Sequence, residues 1–188
     1  MIRHFVTDRR RFGLTPDALV ETAVRASRAG AGVIQVRERD LDDAALAALV
    51  RQIVVGVRGS GARVLVNDRV DIALVAGADG VHLRGDSPPA SRVRAVAPHG
   101  FSIGRSVHTL DDIDAAVSDG GCDYLTFGTV FPSAGKAAGH PVAGLDQLSA
   151  ACRRSPLPVI AIGGITPARE ADVLRAGAAG LAAVAWFM

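Results

Sequence analysis

One motif, a small-residue turn running straight into a short apolar stretch, recurs along this chain and constrains its fold more than any other feature. It reads GAGVIQV from residue 30, GADGVHL from 77, GGCDYLTFG from 120 and GAAGLAAV from 177. Further apolar runs lie between these, HFVTD, RVLVND, FSIGRSV and PVIAIGGI, which makes eight candidate strands. Most are separated by segments of helical period. Asp17 to Ala29 places Leu19, Ala23 and Val24 on one face, and Leu41 to Val57 does the same with Leu46, Leu49, Val50 and Ile53. Val- and Ile-rich strands alternating with amphipathic helices predict a parallel sheet covered by helices. Eight such units close into a (β/α)8 TIM barrel, so the chain is read as α/β, one barrel domain over 1–188. A doubly wound open sheet is the structural alternative, but no glycine fingerprint marks the first turn.

Composition bounds what such a barrel is for. With 188 residues, 49% hydrophobic and 21% charged, and a formal charge of +2, the chain can bury a real core and is not disordered. Its arginines are scattered, and Arg9, Arg10 and Arg11 read as a solvated loop, so no nucleic-acid partner is expected. Cys122 and Cys152 fit neither a metal-ligand spacing nor a disulfide framework, which makes a reducing cytoplasm the expected location. No apolar run is long enough to span a bilayer, and no membrane partner is expected.

In a parallel barrel the reactive groups gather at the C-terminal ends of the strands. Those ends read Thr7-Asp8, Gln35 to Arg39, Asn67-Asp68-Arg69, His82-Leu83-Arg84, Ser106-Val107-His108, Phe131-Pro132-Ser133 and Gly163-Gly164. Strand alternation puts Gln35, Arg37 and Arg39 on one face, opposite Ile34 and Val36. Ser102, Gly104, Ser106 and His108 likewise share a face opposite Ile103 and Val107. His82 reads as a satisfied interior histidine. Lys136, the only lysine in the chain, sits in a Ser/Ala/Gly loop as a compact cation suited to a substrate phosphate or carboxylate.

IQVRER, VNDRVDIAL, GADGVHL, IGRSVHTLDD, FGTVFPSAGK and AIGGITP, in this order along nearly the whole chain, resemble the thiamine-phosphate synthase and thiazole tautomerase superfamily of (β/α)8 barrels. The resemblance implies small phosphorylated thiazole substrates. In its synthase branch it implies that Gln35, Arg37 and Arg39 bind a pyrimidine diphosphate, with Arg39 standing where the family has lysine. Asn67 and Asp68 then match the pair that serves diphosphate and magnesium. Ser87 takes the place of the second magnesium carboxylate, with Asp86 one residue early. Ser133 and Lys136 match a hydroxyl and lysine loop. Gly163 and Gly164, with Val184 and Ala185 after the last strand, match a phosphate cradle in which Ala185 replaces a serine.

The resemblance is closer to the tautomerase branch, where His108 is the catalytic acid/base and Ser106 lies beside the substrate. A histidine suits that task, since its ordinary pKa allows proton transfer near neutrality. Thiazole tautomerase-like proton transfer, with no cofactor, is therefore the first expectation. The alternative is a synthase that joins hydroxymethylpyrimidine diphosphate to thiazole phosphate with Mg2+, expected to be slowed by Ser87. A second alternative is a non-catalytic phosphate-binding or regulatory barrel.

The last apolar run, GLAAVAWFM, reaches Met188 without a further helix, so the final helix of the barrel is missing from the sequence. An uncovered eighth strand exposes apolar surface near Trp186 and Phe187. A homodimer, or cover by the chain's own N-terminal segment, is the expectation, with a chain cut short of a natural helix as the competing explanation.

Overall fold

Eight short parallel strands, each paired with its neighbours in chain order, close on themselves when β1 pairs with β8. They are β1 (Ile2–Val6), β2 (Val33–Val36), β3 (Arg63–Asn67), β4 (Gly80–Leu83), β5 (Ser102–Val107), β6 (Tyr124–Phe127), β7 (Val159–Ile162) and β8 (Gly180–Ala183). This computed structural model describes residues 1–133 and 139–188. The helices between the strands are α1 (Pro16–Arg28), α2 (Asp43–Gly56), α3 (Val70–Ala76), α4 (Ala90–Arg94), α5 (Leu110–Asp119), α6 (Gly144–Arg154) and α7 (Glu170–Arg175). The architecture is a TIM barrel, as the strand and helix rhythm predicts. None of the described helices is long and apolar enough to cross a membrane.

The recurring GxDG and GxxD turns have a local cause. Gly77 ends α3 in the left-handed region at φ 70°, where a side chain is strained. Asp79 then caps the neighbouring strand, its carboxylate accepting the Val64 N–H at 2.7 Å, and Asp123 does the same for Ile103 at 2.7 Å. Gly80 opens β4 where a Cβ would lie 2.1 Å from the Ser102 carbonyl oxygen. The Gly77–Gly80 turn thus stops a helix, satisfies the Val64 N–H, and lets two strands approach.

Helix caps set the other boundaries. Thr15 accepts from the Ala18 N–H with Pro16 following it, and Asp42 accepts from Ala45, which starts α2 two residues later than the apolar period suggests. Of the predicted inner faces, Leu19 and Ala23 of α1, and Leu46, Leu49, Val50 and Ile53 of α2, are buried, while Val24 of α1 is only half-buried against the same core. Thr109 caps α5 through a reciprocal capping box with Asp112.

β8 is covered within the single chain. Leu181 and Ala183, on its outer face, are 0% and 6% exposed. The residues after it form a short 3-10 turn over Ala185–Phe187, whose Phe187 ring packs 5.6 Å from that of Phe5 on β1. Phe187 and Met188 join the core under α1, and the Arg3 guanidinium lies 5.9 Å from the Trp186 ring. The uncovered strand that motivated the homodimer expectation is therefore not present in the single chain.

The barrel interior is unusually polar on one side. His82 of β4 is buried between Tyr124 and Ser106, with Nδ1 2.9 Å from the Tyr124 hydroxyl and Nε2 2.9 Å from Ser106 Oγ. A neutral imidazole satisfies both contacts, because each hydroxyl can donate or accept. His82 is thus the satisfied interior histidine expected from its sequence position. His4 of β1 is fully buried 6.1 Å from the His82 ring, and neither of its ring nitrogens has a partner among the described residues. Val6, Ile160 and Ala182 fill the opposite side.

Burial lowers the pKa of His4 to about 4, and burial together with His4 lowers that of His82 to about 3. Both stay neutral in the folded protein while an unfolded histidine titrates near 6.5. The unfolded chain therefore binds more protons below 6.5, and stability present above that pH is lost as the pH falls toward 4 and then 3. Urea unfolding should show a loss of about 2 kcal/mol per histidine between pH 7.5 and 5, and substituting His4 with Phe should remove part of that slope. A His4→Phe variant with an unchanged pH slope would contradict the assignment of the slope to this core.

Candidate functional site

The side chains beyond the C-terminal ends of β1 to β4 form one half of the barrel mouth, and a buried carboxylate organises it. β2 stops at Val36, so Arg37, Glu38 and Arg39 belong to the following loop. Glu38 turns inward and is 4% exposed. It accepts from the Thr7 hydroxyl at 2.6 Å and from the Arg9 N–H at 3.1 Å, while Thr7 Oγ1 accepts the Arg37 N–H at 2.9 Å. The Arg9 guanidinium lies 3.6 Å from the same carboxylate. Because Glu38 points into the protein, its neighbours Arg37 and Arg39 are left toward the mouth, half-buried and exposed respectively. The shared side read from strand alternation thus arises from an anchored loop.

Burial is the largest influence lowering the Arg37 pKa, and the like charges of Arg39 and Arg84 add to it, while Asp8 and Glu38 oppose it. Burial likewise raises the Glu38 pKa, against its hydrogen bonds from Thr7 and Arg9. Below the arginines, Gln35 Nε2 donates to Asn67 Oδ1 at 2.9 Å, so two residues chosen from separate motifs meet across β2 and β3.

The next strand end departs from what the motif implies. Asp68 is the one non-glycine residue in the left-handed region among those described, at φ 64°, held by its N–H to the His82 carbonyl at 2.9 Å. Its carboxylate accepts from the Ser87 hydroxyl and lies 3.6 Å from the Arg84 guanidinium, which also pairs with Asp86. Ser87 Oγ accepts the Arg84 N–H at 2.8 Å. Arg105 of β5 pins the loop from behind, donating to the carbonyls of Gly85 at 2.9 Å, Ser87 at 2.8 Å and Pro88 at 3.0 Å.

Magnesium binds octahedrally through oxygen, usually with one or two carboxylates and substrate phosphates. Asp68, after β3, and Asp86, in the loop after β4, both pair with the Arg84 guanidinium, which leaves one net negative charge for the three groups, and the Ser87 hydroxyl is engaged by Asp68. Among the described residues no three His, Cys, Asp or Glu side chains converge to hold a metal. These donors do not fit a resident magnesium site.

The other half of the mouth is assembled from β5 to β8. Ser106 faces inward against His82 and Thr126. His108, one turn of chain further, is exposed, with its N–H bound to Asp112 at 2.8 Å and its Nδ1 hydrogen-bonded to the Gly128 carbonyl. A carbonyl only accepts, so Nδ1 carries the proton and Nε2 the lone pair in the neutral ring. Gly163 and Gly164 lie at φ 101° and 63°. A Cβ on Gly164 would sit 2.4 Å from the Pro132 carbonyl oxygen, and one on Gly163 2.6 Å from Thr129 Cγ2. Glycine is thus demanded here by the 128–132 loop packed against it, whatever else binds. Arg169 spans the two loops, donating to the Gly164 carbonyl at 2.7 Å and stacking 4.3 Å from the Phe131 ring. Ser133 is half-buried beside this pair, Val184 is half-buried and Ala185 exposed, while Lys136 lies outside the described residues.

Sequence reasoning passed over Glu38 as a site residue, and its one signal was an acid set between two arginines. Replacing Glu38 with Ala leaves the proton of the buried Thr7 hydroxyl and the Arg9 N–H without acceptors. Urea denaturation should show a loss of about 1–3 kcal/mol, with Glu38→Gln in between. A change in Glu38→Ala within about 0.5 kcal/mol, the range of an ordinary surface substitution, would show that the carboxylate does not hold the loop.

Known proteins provide an independent comparison. The family model described as thiamine monophosphate synthase matches residues 3–187. A protein of Methanocella arvoryzae named thiamine-phosphate synthase is 43% identical over 172 residues, covering 92% of this chain and 79% of its own length. One from Roseiflexus castenholzii with the same name is 39% identical over 183 residues, covering 97% and 79%. Among solved structures, thiamine phosphate pyrophosphorylase from Pyrococcus furiosus superposes with a TM-score of 0.84 at 33% identity, covering 97% of this chain and 85% of that one. The N-acetylmannosamine-6-phosphate 2-epimerase of Clostridium perfringens, at TM-score 0.71 and 14% identity, shares the fold alone. With nearly its whole length matched, the chain belongs to the thiamine monophosphate synthase family.

Proposed function

We propose that this protein is a thiamine-phosphate synthase, a transferase that joins a pyrimidine diphosphate to a thiazole phosphate. The observation that carries the reading is the cationic half of the mouth, where Arg37 and Arg39 stand over the Gln35 and Asn67 amides. The names of the relatives favour this alternative over the tautomerase reading. A non-catalytic barrel has no observation in its favour.

In this reading the thiazole nitrogen forms a bond to the pyrimidine methylene carbon as the carbon–oxygen bond to diphosphate breaks, and the bonding pair leaves with the diphosphate. Charge grows on the departing oxygens, so fixed guanidiniums aimed at them lower the barrier. Arg37 is half-buried and its backbone is held through Thr7, which limits the reorganisation needed at that moment. Gln35 and Asn67 supply neutral amide contacts beside it. Across the mouth, the backbone around Gly163, Gly164, Val184 and Ala185 receives the thiazole phosphate, a role phosphate loops after strands 7 and 8 often fill. Ser106 and His108 border the space between, and Ser133 belongs to the loop after β6.

Purified protein supplied with hydroxymethylpyrimidine diphosphate and thiazole phosphate should yield thiamine phosphate and diphosphate, detected by mass spectrometry. Arg37→Ala should slow this by about tenfold to a hundredfold, the scale of a charge-assisted hydrogen bond. Isomerisation of a thiazole carboxylate phosphate without any thiamine phosphate would return the assignment to the tautomerase.

A further inference from the structure

The β4–α4 loop carries a feature that the reading above leaves unused. Arg84 follows β4 directly, next to Asp68 at the end of β3, and is nearly half exposed. Its guanidinium lies between two carboxylates, Asp68 and Asp86, each itself partly open to solvent. The loop is fixed from two sides: Arg84 N–H and Asp68 both bind the Ser87 hydroxyl, and Arg105 holds three loop carbonyls from β5. Arg84 is also close enough to Arg37 for their like charges to interact. The mouth therefore gathers three guanidiniums, of Arg37, Arg39 and Arg84, toward one side, and the acids that balance the third are Asp86 of its own loop and Asp68 after β3.

We infer that Arg84 is a substrate-binding cation that takes a share of the diphosphate charge and so replaces a resident magnesium ion at this strand end. A guanidinium suits the task, since its planar fork presents paired N–H groups to phosphate oxygens and it keeps its charge at any working pH. Exchange of partners is inexpensive, because the Arg84 contacts with Asp68 and Asp86 are partly solvated pairs of small net strength. Asp68 and Asp86 then hold the guanidinium in place until the diphosphate arrives. A divalent ion entering the same carboxylates would meet acids whose charge Arg84 already partly offsets.

This inference rests on reading the mouth as a diphosphate site, and its test is separate from turnover. Calorimetric titration of the purified protein with inorganic pyrophosphate in a chelator, free of metal, should show saturable binding. Arg84→Gln should weaken that binding at least tenfold while the circular dichroism spectrum and melting temperature stay close to those of the parent, and Arg84→Lys should fall between. Equal affinity in the Gln variant would overturn the role of Arg84. Pyrophosphate binding by the parent protein that appears only with Mg2+ would overturn the replacement of the metal. Arg84-dependent binding without thiamine phosphate formation would uphold this site while removing the proposed reaction.

Discussion

Pairing of β1 with β8 is the constraint from which the rest follows. Ile2 to Phe5 align with Gly180 to Ala183, and once that ladder forms the sheet has no edge. Strands of four to six residues are then sufficient, because every backbone has two neighbours. Closure also sends all eight C-terminal ends to one rim. The small residues of the turns serve this geometry: a Cβ on Gly180 would lie 2.2 Å from the Ile2 carbonyl oxygen, at the seam itself.

Gathering polar groups on the rim and just beneath it has a cost that the structure offsets locally. A buried carboxylate, two buried histidines and a buried phenol are each unfavourable without partners. Glu38 receives the Thr7 hydroxyl and the Arg9 N–H; His82 has Tyr124 and Ser106; burial keeps the Tyr124 phenol protonated and able to donate. His4 is the exception, with both nitrogens unpartnered among the described residues, and it stays neutral at ordinary pH. The same network connects fold to function. Thr7 and Glu38 anchor the loop that offers Arg37 and Arg39, so binding geometry on the surface depends on hydrogen bonds out of reach of water.

The strand and helix rhythm was legible because it is local. Val and Ile runs, apolar faces on α1 and α2, and the turn signals each report on a few consecutive residues, and each appears in the structure as read. Contacts across strands are not local, and there the sequence was less informative. Nothing in the spacing shows that Gln35 reaches Asn67, or that Glu38 reaches back to Thr7 and Arg9. Gly163 and Gly164 match a phosphate cradle in the sequence, and the 128–132 loop independently requires them to lack side chains. The apolar run after β8 suggested exposed surface, but Phe187 folds back onto Phe5. Arg84 was visible at a strand end, and its place between Asp68 and Asp86 emerged only with the loop pinned by Arg105.

In the proposed reaction charge is divided across the mouth, with the diphosphate end at β2 to β4 and the single phosphate at β7 and β8. A crystal structure of the protein with pyrophosphate and thiazole phosphate bound tests it directly. Pyrophosphate oxygens should lie within hydrogen-bonding distance of Arg37, Arg39 and Arg84, and the thiazole phosphate on the backbone of Gly163 to Gly164 and Val184 to Ala185. Pyrophosphate seated on the β7 and β8 loops, with the three guanidiniums left facing solvent, would contradict it.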